Sequence, residues 1–337
     1  MKLATLDNQT PDGQLVVVSR DATRFLAGTN VAPTLQAALE HWTTSVRGLQ
    51  EISRRLEEGE GQPLSSRRLR APLPRAWQWL DGSAFASHGA LMEKVLGISP
   101  VVNALPLMYQ GVSDTFYGPT DDVPFADEAL GIDFEGEFGV LTDFVPMGTS
   151  ADEAMRHIRL IVQINDWSLR MLAGAEMKTG FGWVQAKPPC SMAPFAVTPD
   201  ELEDQWLDGR VAVDLLVDWN GKRFGRANGQ AMGFGFHELV AHAARTRSLV
   251  AGTVIGSGTV SNENYREIGS SCIAERRGIE IVDTGNPITE FIRFGDRVRM
   301  QGTMSNGNAP FGVIEQTIRQ QPSPGLPVGV REMSLDS

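Results

Sequence analysis

Cysteine is scarce in this chain. Its 337 residues hold two, Cys190 and Cys272, neither with a neighbouring cysteine at zinc-site spacing. That excludes a disulfide framework and makes a reducing cytoplasm the simplest compartment. A surplus of positive charge is also missing. The formal net charge of −11 argues against a nucleic-acid partner, which asks for a basic surface. No apolar run reaches the ~18 residues of a membrane span. No basic segment followed by an apolar core opens the chain, so neither a membrane partner nor a signal peptide is expected. Glycine is plentiful, at 35 residues, yet stretches such as Gly252-Thr253-Val254-Ile255-Gly256-Ser257-Gly258 hold no GxGxxG pattern and no P-loop lysine. What remains, 42% apolar and 21% charged, suits a globular protein of one large or two smaller domains.

Short strands with polar turns between them are expected over 2–5, 14–19 and 23–26, with Pro11-Asp12-Gly13 as a turn. Leu35, Leu39, Trp42, Val46, Leu49 and Ile52 recur at helical spacing and predict one helix over 34–57. The charged stretch beyond it, up to Arg70, reads as a linker or exposed loop. Residues 1–72 then form a small β-rich domain with a helix, and residues 73–337 the main body. Within that body, Ser150 with Glu153 three residues on is a capping-box signature for a helix to about Arg159. The apolar run 160–164 is β-rich and ends at Asn165-Asp166. A second helix is expected over 236–246, and strands over 211–219, 253–255, 279–282 and 297–302. Asn220-Gly221 is a hairpin signal. The class is α+β, mostly β.

Chemistry concentrates in Ile132-Asp133-Phe134-Glu135-Gly136-Glu137-Phe138. As a strand, this segment puts Asp133, Glu135 and Glu137 on one face and Phe134 and Phe138 on the other. Glu135 and Glu137 would lie roughly 7 Å apart on the same side. If buried, two such charges need a cation or a proton; the plainer alternative is the solvated face of an edge strand. Asp166 is either aimed at the mouth of a sheet or a turn aspartate. Lys187, ahead of Pro188-Pro189 in a segment without other charge, is either an inward ammonium or an exposed lysine. Asp81 and His88 follow just after the expected domain boundary. His41, His157, His237 and His242 read as structural, the last two being five apart rather than the four of a helical metal pair. Carboxylates without a Cys/His cluster favour Mg²⁺, Mn²⁺ or Ca²⁺ over zinc.

Phe134-Glu135-Gly136-Glu137-Phe138, Asn165-Asp166-Trp167-Ser168-Leu169-Arg170, Lys187 and Gly256-Ser257-Gly258-Thr259-Val260-Ser261 together resemble the fumarylacetoacetate hydrolase family. The order and spacing match through most of residues 73–320. The resemblance implies a mixed β-roll catalytic domain, a divalent cation, a homodimer and chemistry on small oxo-acids. The first 72 residues resemble the small domain ahead of the catalytic domain in fumarylacetoacetases. By position, Asp81, Glu135, Glu137 and Asp166 correspond to metal ligands and His88 to the catalytic histidine. Glu275 corresponds to the carboxylate that orients that histidine, and Lys187 to the group facing the oxyanion. Tyr109 and Thr259 correspond to substrate contacts. Two positions depart from the pattern: Ala173 stands near an expected glutamine, and Lys94 is the nearest cation to an expected arginine.

The implied reaction is metal-dependent hydrolysis of a carbon–carbon bond in a β-diketo acid such as fumarylacetoacetate, in aromatic amino-acid or aromatic-compound catabolism. The same scaffold could instead serve acylpyruvate hydrolysis, oxo-acid decarboxylation, or hydration or isomerisation of an oxo-enoate, since a fold does not select among them. A metal-stabilised binding protein without a working base is the non-enzymatic alternative.

Overall fold

The computed structural model describes residues 1–65, 68–96 and 105–321; residues 66 and 67 of the expected linker lie outside the described residues. Aliphatic and β-branched runs build one long mixed sheet. From edge to edge its strands are Gln62–Pro63, Arg24–Ala27, Gln14–Val18, Lys2–Leu6, Ala196–Val197, Ile158–Asn165, Gly136–Thr142, Thr253–Gly256, Gln78–Gly82 and Met108–Gly111. The strands of the N-terminal region therefore continue the sheet of the main body, joined through the pairs Lys2↔Val197 and Leu3↔Ala196. A second sheet orders Lys222–Asn228, Asp214–Trp219, Arg297–Thr303, Ile314–Gln320 and Val123–Phe125.

The two sheets share a core. Phe138 and Phe311 meet across it with ring centroids 5.7 Å apart, and the buried Gln163 side chain accepts the Gly302 N–H at 2.5 Å. On the other face of the long sheet lie the helices Leu35–Glu40 and Trp42–Glu57. Their Leu35, Leu39, Leu49 and Leu56 join Leu141, Val162, Ile164 and Val254 in one buried cluster. Each fully buried aliphatic or aromatic side chain of this kind contributes about 1.5–3 kcal/mol. The α+β class and β-rich body expected from the sequence hold.

Several local expectations need correction. The helix expected over 34–57 is two, because the backbone at His41 leaves helical geometry (φ −121°, ψ 37°). The capping box at Ser150 and Glu153 forms, but helical structure stops at His157 and the strand Ile158–Asn165 begins there. The 211–219 strand is split into Arg210–Val211 and Asp214–Trp219. Asn220 and Gly221 make the hairpin turn, with φ of 50° and 74°.

The largest change concerns 279–282, expected as a strand and found inside the helix Ile273–Thr284. Tertiary contacts override its β composition. The Cys272 sulfur accepts the Glu275 N–H at 3.3 Å, and the Asp133 carboxylate takes those of Ile273 and Ala274 at 2.7 and 2.9 Å. The first turn thus has its free donors satisfied. Gly278 then lets this helix approach Leu91 and Met92 on the helix Ala86–Leu96, another element the apolar spacing did not signal.

Candidate metal centre and active site

The segment 132–138 is not an exposed edge. Asp133, Phe134, Glu137 and Phe138 are fully buried and Glu135 nearly so. Nor is it one continuous strand: Ile132–Asp133 and Gly136–Thr142 are separated by Phe134 and Glu135. At this break the Glu135 N–H bonds the Asn165 side chain at 3.0 Å, and the Glu135 carbonyl accepts the Asp166 N–H at 2.9 Å. Phe134 packs edge-on against Phe224, with centroids 5.2 Å apart. The aromatic residues anchor the segment in the core, and its carboxylates are buried with them.

Strand register then assembles a carboxylate cluster. Glu137 pairs with Ile164, two residues before Asp166. Asp81 pairs with Gly256 on one side and Tyr109 on the other. Gly256 is required by close approach: a Cβ there would sit 2.3 Å from Asp81 Oδ1 and from the Trp79 ring. Asp81, Glu137 and Asp166, all buried, bring one carboxylate oxygen each to within 4.8 Å of the others. Both Glu137 oxygens are buried without a hydrogen-bond partner. Burial pushes the Glu137 carboxyl well above its usual value, and the Asp81, Asp166 and Glu135 charges add to it. Asp81 is raised well above its own by burial and by Asp166.

Glu135 lies beside this triad but is differently engaged. Burial alone would raise its carboxyl, yet Arg170 and Lys187 outweigh burial and hold it below the usual range. Lys187 Nζ stands 2.7 Å from Glu135 and 2.5 Å from Asp166 Oδ2. Arg170 Nη2 is 2.9 Å from Glu135, and Arg170 Nε donates to Asp133 at 2.8 Å. Ser168 donates to Glu135 at 2.5 Å, and the Thr259 hydroxyl donates to its other oxygen. Thr259, expected at a substrate, therefore meets Glu135 in this structure. Tyr109 donates from its hydroxyl to Asp166 Oδ2 at 2.8 Å, and the Cys190 thiol bonds Asp166 Oδ1 at 3.0 Å.

His88, on the helix Ala86–Leu96, faces the fully buried Glu275 with Nδ1 3.5 Å from Oε1. The Ser261 hydroxyl donates to the same Glu275 oxygen, and Ser87 is 2.8 Å from Ser261. One loop ties this pair to the carboxylates. Its Gly258 N–H bonds Asp81 at 3.1 Å, Thr259 reaches Glu135 and Ser261 reaches Glu275. Sequence reasoning assigned no role to Arg170, Ser168, Ser261 or Cys190. The first three stood in quoted motifs, Arg170 and Ser168 in Asn165–Arg170 and Ser261 at the end of Gly256–Ser261, which was the available signal; nothing local marked Cys190.

The sequence matches the family model described as fumarylacetoacetate (FAA) hydrolase C-terminal over residues 78–319. The chain belongs to the fumarylacetoacetate hydrolase family. A second model, fumarylacetoacetase N-terminal domain 2, matches residues 1–75. Among curated relatives, a 2,4-didehydro-3-deoxy-L-rhamnonate hydrolase from Sphingomonas sp. (strain SKA58) is 27% identical over 157 residues, 46% of this chain and 52% of that protein. The chain thus spans about half the length of the curated relatives it matches. Among solved structures, a probable 2-hydroxyhepta-2,4-diene-1,7-dioate isomerase from Mycobacterium abscessus superposes with a TM-score of 0.66 at 19% identity, over 96% of this chain and 100% of that one. Maleylpyruvate hydrolase from Sphingobium sp. SYK-6, in complex with manganese(II) and pyruvate, gives 0.64 at 16% identity, over 95% of this chain and 99% of that one. At such identities the likeness establishes the family fold. No helix among the described residues is long and apolar enough to cross a membrane.

Proposed function

We propose that this member of the fumarylacetoacetate hydrolase family is a divalent-cation-dependent hydrolase that cleaves a carbon–carbon bond in a small β-diketo or acylpyruvate-type acid. The observation that carries this reading is the loop 258–261, which supplies an N–H and two hydroxyls to Asp81, Glu135 and Glu275 in turn. It couples a buried carboxylate cluster to a histidine–carboxylate pair, the two halves that metal-assisted hydrolysis requires.

The residues fit a hard cation. Asp81, Glu137 and Asp166 would hold it, with Glu135 beside them, because the crowded buried carboxyls need a cation or a proton to neutralise them and a hard cation takes oxygen ligands of this kind. A bound divalent ion supplies Lewis-acid stabilisation of negative charge developing on the oxo-acid. The manganese-bound maleylpyruvate hydrolase supports a cation of this class, and Mg²⁺, Mn²⁺ and Ca²⁺ share its oxygen ligands. His88 would take a proton from water at Nε2, since Nδ1 faces Glu275. Glu275 then stabilises the imidazolium, and Ser261 fixes the Glu275 carboxylate. Lys187 spends two N–H donors on Glu135 and Asp166; the third is the one for the developing oxyanion. Tyr109 would steady Asp166 and line the substrate's side of the cluster.

The test is a panel of fumarylacetoacetate, acylpyruvates, oxaloacetate and oxo-enoates, followed by loss of substrate absorbance with Mg²⁺ or Mn²⁺ against an EDTA control. His88→Ala should lower kcat by about 10²–10⁴-fold while calorimetric cation affinity stays unchanged. Hydrolysis retained by His88→Ala would remove the histidine from the mechanism. A panel turned over only by isomerisation or decarboxylation would replace the hydrolase reading. We extend the proposal to a homodimer acting on a soluble small acid, to be checked by sedimentation.

A further inference from the structure

The helix Arg170–Thr179 buries none of its residues, yet its single carboxylate is fully committed. Glu176 accepts the backbone N–H groups of three consecutive residues: Val184 at 3.1 Å, Gln185 at 2.8 Å and Ala186 at 2.9 Å. These amides hold the Glu176 carboxyl below the usual range. Ala186 is gripped from its other side too, its carbonyl accepting the Leu169 N–H at 2.8 Å. The next residue is Lys187, whose ammonium bridges Glu135 and Asp166. Four residues before Lys187, Trp183 meets the Tyr109 ring edge-on at 6.2 Å.

We propose that Glu176 is a positioning residue that clamps the 184–186 backbone and so sets how far the Lys187 ammonium reaches into the carboxylate cluster. Three successive N–H groups converging on one carboxylate form an anion cradle, and the chain itself provides the anion. The consequence has a definite sign. Lys187 competes with a cation for Asp166 and repels it, so a loosened Lys187 leaves the cation bound more tightly. Glu176 touches neither the triad nor a substrate position, and acts only through Lys187. The inference rests on the triad binding a divalent cation.

The experiment is a double-mutant cycle on the full chain, with Mn²⁺ affinity measured by calorimetry for wild type, Glu176→Ala, Lys187→Met and the double variant. Glu176→Ala is expected to tighten Mn²⁺ binding about threefold or more, and to have no further effect in the Lys187→Met background. Equal effects in both backgrounds, or none in either, overturn the clamp. Acetylation of Lys187 by acetic anhydride, followed by mass spectrometry, gives a cation-free reading: the buried amine should react faster in Glu176→Ala. Failure of wild type to bind Mn²⁺ would refute the cation site alone, and unchanged Lys187 labelling would then still overturn the clamp. Should Glu176→Ala not fold, Glu176→Gln, which keeps an acceptor but loses the charge, is held to the same criteria.

Discussion

Glu137 stands where elementary electrostatics leaves the fewest choices, with two buried oxygens, no partner for either, and Asp81 and Asp166 alongside. A group whose value is raised on folding keeps its proton in the native chain and releases it in the unfolded one. Above the ordinary values of 3.8 and 4.5 for Asp81 and Glu137, the unfolded chain therefore binds fewer protons, and stability is lost as pH rises. Glu135 works in the opposite sense: lowered by its cations, it contributes stability above 4.5 that is lost as pH falls. In EDTA, the melting temperature of wild type should fall between about pH 5 and about pH 8, and Glu137→Gln should flatten that slope. Scanning calorimetry decides it, and equal slopes would mean that the crowded carboxylates are already neutralised by the protein. Saturating Mn²⁺ at a hundredfold excess over Kd should stabilise wild type by about 2.7 kcal/mol and do little for Glu137→Gln.

Strands and helices explain why these side chains meet. Asp81, Glu137 and Asp166 come from Gln78–Gly82, Gly136–Thr142 and the end of Ile158–Asn165, with Thr253–Gly256 lying between the first two. A side chain at Gly256 would fill the space the carboxylates occupy. Gly256→Ala places its Cβ 2.3 Å from Asp81 Oδ1 and the Trp79 ring, so it should cost about 1–3 kcal/mol and weaken cation binding together. Urea unfolding and calorimetry measure the two; a variant with native stability and native affinity would show that the strands can part without consequence. The helix Ile273–Thr284 does similar work for His88. Asp133 holds its first turn and also Arg170, so the element that presents Glu275 to His88 is tied to the element that neutralises Glu135.

Across the molecule, the two regions matched by separate family models share one sheet. Leu3, Leu15 and Val17 lie in the same apolar cluster as Trp79, Leu141 and Val254. Removing residues 1–75 would bare the Ala196–Val197 strand as an edge and uncover that cluster, and exposed edges of this kind aggregate. The full chain should therefore unfold in a single calorimetric transition, and the 76–337 fragment should be insoluble. Two well-separated transitions, or a soluble, folded fragment, would show that the N-terminal region folds independently of the sheet it extends.

Much of this was legible from residue order, because strands and turns are local. The N-terminal strands, the capping box at Ser150 and the Asn220-Gly221 hairpin obey short-range rules of period and turn chemistry, and all three appear. The candidate site was legible as a set of residues rather than as an arrangement. Glu135 and Glu137 look equivalent in the chain, two carboxylates either side of a glycine. Folding separates them: a break at Phe134 and Glu135 delivers Glu135 to Arg170 and Lys187, while Glu137 stays on its strand with no cation among its described contacts. The run 279–282 has β composition, yet Cys272 and Asp133 satisfy the start of a helix there. Both outcomes turn on partners far away in sequence, Asp133 lying 140 residues from Ile273. Patterning specifies what a segment can form; the desolvation of buried charge, which depends on every neighbour at once, selects what it does form.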